Sequence, residues 1–238
     1  MNKKEFSLEL KENLNKINIK IEEEQIQKFY NYMNLLIEWN EKINLTAITE
    51  PKEIILKHFV DCITILKYIP DDAKVVDVGT GAGFPGMPLK IMNNMPEYTL
   101  VDSLNKRINF LNEIINILKL ENINTVHSRI EDFAKNNREV YDVATSRAVA
   151  SLNVLLEYLL PLVKVGGICI CMKGSNIQEE VQNSKKALEI LGGKIEKIEE
   201  ITLPNSDITR NIIIVRKVKN TSGKFPRKAG MATKEPIA

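Results

Sequence analysis

From residue 74 onward the chain alternates short β-branched runs, at 74–78, 98–102, 123–127, 141–145 and 167–172, with segments of helical length. A strand that returns to its sheet through a helix lies parallel to the strand before it, so the pattern predicts an α/β fold built on a mostly parallel sheet. Two later runs, 194–203 and 210–218, are joined by a short polar turn with no helix between them, which predicts a terminal antiparallel pair. Ile108, Leu111, Ile115 and Leu118 fall on one helical stripe, as do Leu152, Leu155 and Leu159, and both stripes are core candidates.

Residues before about 70 read as helices. Phe6, Leu8, Leu10, Leu14 and Ile17 recur at roughly helical spacing, then Ile26, Phe29, Tyr30, Met33, Leu36 and Ile37, and a further helix is expected over 52–68. Pro70 and the pair Asp71-Asp72 punctuate the chain ahead of the first strand. The expected organisation is therefore a helical cap over 1–70, a core over 71–220 and a basic tail over 221–238. A chain of 238 residues accommodates one large domain with such an addition and is too short for a second full one. Three cysteines, Cys62, Cys169 and Cys171, form no C-x-x-C pair, which predicts neither a disulfide framework nor a zinc site. His58 and Asp61 share a helical face, but His127 is the only other histidine, so no metal site is expected. No window approaches eighteen consecutive apolar residues, and the start lacks a signal-like apolar core; a cytoplasmic protein without membrane attachment is expected.

The most chemically specific stretch is Asp77-Val-Gly-Thr-Gly-Ala-Gly-Phe-Pro-Gly86, between the first strand run and a helical run. Glycines let the backbone turn sharply and approach a ligand, and free N–H groups at a helix start face whatever binds there. Gly81, Gly83 and Gly86 also satisfy the G-x-G-x-x-G spacing of dinucleotide-binding proteins, so an NAD-dependent oxidoreductase has to be weighed. Charge argues the other way. Asp77 at the end of the first strand would repel a pyrophosphate and attract a ligand carrying ammonium and sulfonium groups, such as S-adenosylmethionine. Asp102 ends the next strand about twenty residues past the glycines, where an acid accepts hydrogen bonds from a ribose diol.

The blocks DVGTGAGFPG, VDSLNKR, SRIE, SRAVASLN and MKG, in that order, with WNEKINLTAI and HFVDC upstream, closely resemble the bacterial 16S ribosomal RNA guanine-N7 methyltransferase family. That family is also known as glucose-inhibited division protein B, or ribosomal RNA small subunit methyltransferase G. The resemblance runs from about Trp39 to the C-terminus and implies a Rossmann-like class I methyltransferase sheet with S-adenosylmethionine as cofactor. It further implies methylation of guanine in the 530 loop of 16S rRNA, at the position conventionally numbered 527, with 16S rRNA or the assembling 30S subunit as partner. A monomer is expected. The non-enzymatic rival is a ribosome-binding module that keeps the cofactor pocket without turnover.

Within this frame Asp77, Gly79, Gly81, Gly83, Phe84 and Asp102 are the candidate cofactor residues, with Phe84 either shielding the methionine moiety or packing in the core. By resemblance, backbone groups at Ile130 and the neighbouring Glu131 contact the adenine; the bland reading of Glu131 is a helix-start carboxylate. Arg147, at the end of the fourth strand, is placed in the active site by resemblance, as a cofactor-binding residue and as the best candidate for a catalytic role through orientation and electrostatics. Its alternative is an ion pair with Asp142 or another nearby acid. Candidate RNA contacts are Lys106 and Arg107 near a helix start, Lys173 after the fifth strand, and Lys224, Arg227 and Lys228 in the tail. From Arg216 onward there are seven Lys or Arg against one Glu, with Phe225 available beside them for base stacking. A net charge of +2 is too mild to argue for RNA by itself. Guanine N7 already carries a lone pair, so the absence of a nucleophile and general-base pair is consistent with this chemistry.

Overall fold

The computed structural model describes residues 1–237; Ala238, the last residue of the expected tail, lies outside the described residues. Seven strands form one sheet: β1 Lys74–Val78, β2 Glu97–Asp102, β3 Ile123–His127, β4 Tyr141–Arg147, β5 Val163–Lys173, β6 Gly193–Thr202 and β7 Thr209–Lys217. Their spatial order is β3-β2-β1-β4-β5-β7-β6. The first five are mutually parallel, and β7 is antiparallel to both β5 and β6, as the missing crossover between the last two runs requires.

Burial explains the composition of the strands. Val76 and Val78 point to one face of the sheet and Val75 to the other, and all three are at most 2% exposed, as expected where helices cover both faces. The edge strand β6 instead carries Lys194, Glu196, Lys197, Glu199 and Glu200, charges that discourage pairing with another sheet edge.

Helices α1 Lys3–Lys16 and α2 Glu23–Ile43 pack with α5 Gly86–Met92 and α6 Asn105–Leu118 around one hydrophobic cluster. On the opposite face lie α7 Ile130–Asn136, α8 Leu152–Leu159, α9 Gln178–Asn183 and α10 Lys185–Leu191, with the short α11 Met231–Lys234 following the tail back onto α8. Leu8, counted in the helical spacing of α1, is 62% exposed. The run from Phe6 to Leu14 spans more than two turns, and residue 8 falls on its far side; a period match over so few apolar residues tolerates one such error.

The helix expected over 52–68 is broken into α3 Pro51–Ile54, a π-helical turn Ile55–Val60, α4 Asp61–Ile63 and a tight turn Leu66–Tyr68. A π turn rotates the side chains that follow it relative to a regular helix. Here it brings Lys57, His58 and Asp61 against the end of β4. The chain runs outward from β1 to β3 and then returns to β4 on the other side of β1, so the crevice between the carboxyl ends of β1 and β4 is where a ligand fits in such a sheet.

Candidate active site at the ends of β1 and β4

The glycine turn occupies that crevice. Gly79, Gly81 and Gly83 have φ of 67°, 62° and 101°, conformations that side-chain-bearing residues rarely adopt. A Cβ at Gly83 would stand 2.6 Å from Met87 Cγ and 2.8 Å from the Tyr32 hydroxyl, whereas one at Gly81 would meet nothing nearer than 4.0 Å. The turn is thus packed tightly on its inner side and open at Gly81. Tyr32 of α2 donates its hydroxyl to the Ala82 carbonyl, so the N-terminal helices hold the turn directly.

Asp77 does a different job from the one its position suggests. It is fully buried beneath the turn, where Oδ2 accepts hydrogen bonds from Thr80 Oγ1 at 2.7 Å and the Gly86 amide at 2.9 Å. It ties the two ends of the loop together and is not among the residues that line the cleft. Burial pushes its carboxyl up to about 6, against the pull of those two hydrogen bonds. Of the two strand-end carboxylates expected to face the ligand, only Asp102 lines the cleft.

Asp102, at the end of β2, does line the cleft, which encloses about 430 Å³ with Thr46, His58, Gly81, Phe84 and Arg147 among its walls. Its Oδ2 accepts from the Gly81 amide at 2.9 Å and its Oδ1 from the Leu104 amide at 2.9 Å, while Arg107 Nη1 sits 3.2 Å from Oδ2. The carboxylate is fixed at the mouth of the glycine turn before any ligand arrives.

Arg147 ends β4 in a dense set of contacts. Nη1 donates to the Lys57 carbonyl at 2.9 Å and to Asp61 Oδ2 at 3.3 Å, and Nη2 lies 3.1 Å from His58 Nδ1. A guanidinium only donates, so His58 Nδ1 accepts and its Nε2–H faces Thr46 Oγ1 at 2.8 Å. Burial first, and the Arg147 charge second, push the His58 imidazole down to about 3, which keeps it neutral. Phe84 lies between the two elements: its ring stacks on His58 with centroids 4.4 Å apart, and the Arg147 guanidinium carbon is 4.7 Å from its centre. The acid that pairs with Arg147 is Asp61; Asp142 pairs with Lys164.

The remaining candidates divide by whether they have internal partners. Glu131 is 5% exposed and accepts the Gly230 amide at 3.0 Å, and Ile130 packs against Val154, Tyr158 and Ala232, so the start of α7 is bound to the tail and stands outside the cleft lining. Lys173 Nζ donates to the Ala150 carbonyl at 2.6 Å and pairs with Glu180 at 2.6 Å. Arg227 is held by Glu157, and Phe225 is half-buried against the core with its carbonyl accepting from Arg138. None of these three is disposed as a free contact for RNA, contrary to expectation. Lys106, Lys224 and Lys228 are exposed and, among the described residues, make no ion pair. Sequence reasoning did not assign Asp61 or Arg210 to the site; the i, i+3 spacing of His58 and Asp61 within HFVDC was the available signal. Cys62 is fully buried and burial pushes its thiol up, which leaves it inert as a nucleophile.

The donor set fits S-adenosylmethionine: an open glycine backbone, a fixed carboxylate at the end of β2 suited to a ribose diol, and an arginine at the end of β4 lying against an aromatic ring of the glycine turn, suited to a methionine moiety. Among solved structures, TYW2 from M. jannaschii in complex with AdoMet has a TM-score of 0.54 at 16% identity, covering 66% of this chain and 73% of that one. A SAM-dependent methyltransferase from Aquifex aeolicus gives 0.54 at 20% identity, covering 74% of this chain and 97% of the other. These likenesses establish the fold. In sequence, ribosomal RNA small subunit methyltransferase G of Acetivibrio thermocellus is 53% identical, covering 100% of both chains, and that of Alkaliphilus metalliredigens is 48% identical over 98% of this chain and 99% of its own. The family model described as GidB, rRNA small subunit methyltransferase G, matches residues 25–212, and with relatives this similar over their whole length, the chain belongs to that family.

Proposed function

We propose that this chain transfers the methyl group of S-adenosylmethionine to N7 of a guanine in the 530 loop of 16S rRNA, the position conventionally numbered 527. When bound, the cofactor supplies a sulfonium-activated methyl carbon; the N7 lone pair forms the new C–N bond as the C–S bond breaks, leaving S-adenosylhomocysteine and a cationic purine. The observation that carries the reading is the meeting of Asp102, Phe84 and Arg147 in one cleft at the switch between β1 and β4, in a chain of this family. Membership of that family does not favour the NAD-dependent alternative or a module without turnover.

In this reading Asp102 receives the ribose hydroxyls, the backbone of Gly79, Gly81 and Gly83 faces the cofactor, and Phe84 with Arg147 holds its methionine end. Asp77 supports the turn from beneath. Backbone groups at Ile130 and Glu131 meet the adenine where it extends beyond the cleft lining, while the Glu131 side chain stays bonded to the Gly230 amide. No residue has to remove a proton, so the protein contributes mainly by alignment, an effect worth several kcal/mol when reacting atoms are held in line. Lys106, Lys224 and Lys228 supply exposed positive charge for rRNA phosphates, with Arg107, Lys173 and Arg227 shaping the surface through their ion pairs. Residues 1–70 act as a cap that braces the glycine turn, 71–220 as the methyltransferase core and 221–238 as the tail, in a cytoplasmic monomer.

The test is 7-methylguanosine in 16S rRNA, measured by mass spectrometry of digests from cells with and without the gene. Deletion should remove the modification, and wild type should restore it. Arg147→Ala should lower kcat/KM by about 100-fold or more, as loss of a positioned donor does elsewhere. Full restoration by Arg147→Ala would remove Arg147 from the site, and an unchanged modification on deletion would remove the function.

A further inference from the structure

Next to the cofactor cleft, across Arg147, lies a second cleft of about 420 Å³ whose walls include Ile48, His58, Asp61, Met172 and Arg210. Arg147 and His58 line both. In its wall Asp61 is 2% exposed, and its Oδ2 accepts from Arg147 Nη1 at 3.3 Å and from Arg210 Nε at 3.2 Å. Its Oδ1 is buried and, among the described residues, accepts nothing. A buried carboxylate oxygen without a donor is costly; Asp77 Oδ1 and the Tyr98 hydroxyl are also without a partner, but of the three only Asp61 Oδ1 belongs to a residue that lines one of these two clefts. The two arginines fix Oδ2, so the carboxylate is oriented with Oδ1 left over.

Resting on the methyltransferase reading above, we propose that this second cleft holds the purine to be methylated and that Asp61 selects guanine. The Watson–Crick edge of guanine presents N1–H and an amino group beside O6: two donors and then an acceptor. Asp61 Oδ1 accepts from the donors, and Arg210, whose guanidinium lies against the same carboxylate, donates to O6. Adenine reverses the pattern, placing an amino group where O6 would be and a lone pair at N1, so it meets a donor with a donor and an acceptor with an acceptor. Ile48 and Met172 provide apolar faces for the unstacked ring. N7 lies on the edge away from the amino group, so a base read in this way turns N7 toward the wall shared with the cofactor cleft.

The experiment compares 30S subunits carrying guanosine or inosine at the target position, inosine lacking only the amino group. Wild type should prefer guanosine by roughly tenfold or more in kcat/KM, the factor expected when a charged acceptor loses its donor. Asp61→Asn should bring that ratio to within about twofold of unity; because it compares two substrates on one variant, the ratio cancels any loss of S-adenosylmethionine binding caused by weakening the Asp61–Arg147 pair. Arg210→Lys should lower both rates equally, since both bases keep O6. A wild type indifferent to inosine overturns the proposal whether or not Asp61→Asn is stable enough to assay. Retention of the guanosine preference by Asp61→Asn, or no loss in Arg210→Lys, overturns it as well. If wild type forms no 7-methylguanosine on the guanosine subunits, it is the methyltransferase reading itself that fails.

Discussion

Replacing Arg227 with alanine separates a tail that contacts RNA from a tail that is part of the fold. Glu157 of α8 has a carboxylate that is 1% exposed, and Arg227 supplies nearly everything that satisfies it. Its backbone amide donates to Oε1 at 2.8 Å, Nε to Oε1 at 3.0 Å, and Nη2 to Oε2 at 2.7 Å. Removing the side chain leaves a buried charge with one amide donor. Breaking a fully buried pair costs about 3–5 kcal/mol; because the Arg227 side chain is 26% exposed and the amide remains, about 2–3 kcal/mol is the expected loss here. For a domain of this size that lowers Tm by roughly 4–12 °C. Calorimetry measures the shift, and hydrogen exchange at the Gly230 amide reports whether the tail has left Glu131. The double variant with Glu157→Gln, in which no charge is stranded, should recover much of the loss. An Arg227→Ala protein that melts within a degree of wild type, keeps its exchange protection and nonetheless methylates rRNA poorly would refute this reasoning and return Arg227 to the RNA.

Two further outcomes follow from the glycine turn. Asp77 titrates near 3.8 when unfolded and about 6 when folded, so between those values the folded chain holds a proton that the unfolded chain has released, and this stabilisation is lost as pH rises through 6. The stability of wild type relative to Asp77→Asn should fall on the order of 3 kcal/mol from pH 4 to pH 7 in urea titrations, and a constant difference would show that Asp77 is not shifted. His58, depressed to about 3, acts in the opposite sense by losing stability as pH falls below 6.5, but it is common to both proteins and cancels. Gly83→Ala forces a Cβ to within 2.8 Å of the Tyr32 hydroxyl at a φ of 101°, and should cost several kcal/mol together with S-adenosylmethionine binding; a normal melt with normal binding would mean that the turn adapts.

Local pattern made the sheet readable. Short β-branched and strand-like runs placed all seven strands to within a few residues, because neighbouring residues decide them. The π turn was not readable, since Ile55–Val60 carries no residue that a regular helix would refuse; its reason lies in packing against β4. The glycine turn was recognised, yet the role of Asp77 was misjudged, because a carboxylate at a strand end points toward a ligand or toward the turn's own amides with no difference in sequence. Which of these holds depends on Thr80 and Gly86 folding back over it.

The same limit governs the basic residues. Charge is visible in a sequence, but pairing across 70 residues, as between Arg227 and Glu157, or 149, as between Arg210 and Asp61, is not. Of the six cations put forward for RNA, Arg107, Lys173 and Arg227 each sit on a carboxylate, while Lys106, Lys224 and Lys228 have none among the described residues. A paired cation adds little to counterion release on RNA binding, because its partner already neutralises it. Neutralising the exposed three should therefore flatten the salt dependence of RNA affinity far more than neutralising the paired three, whose loss is felt first in stability.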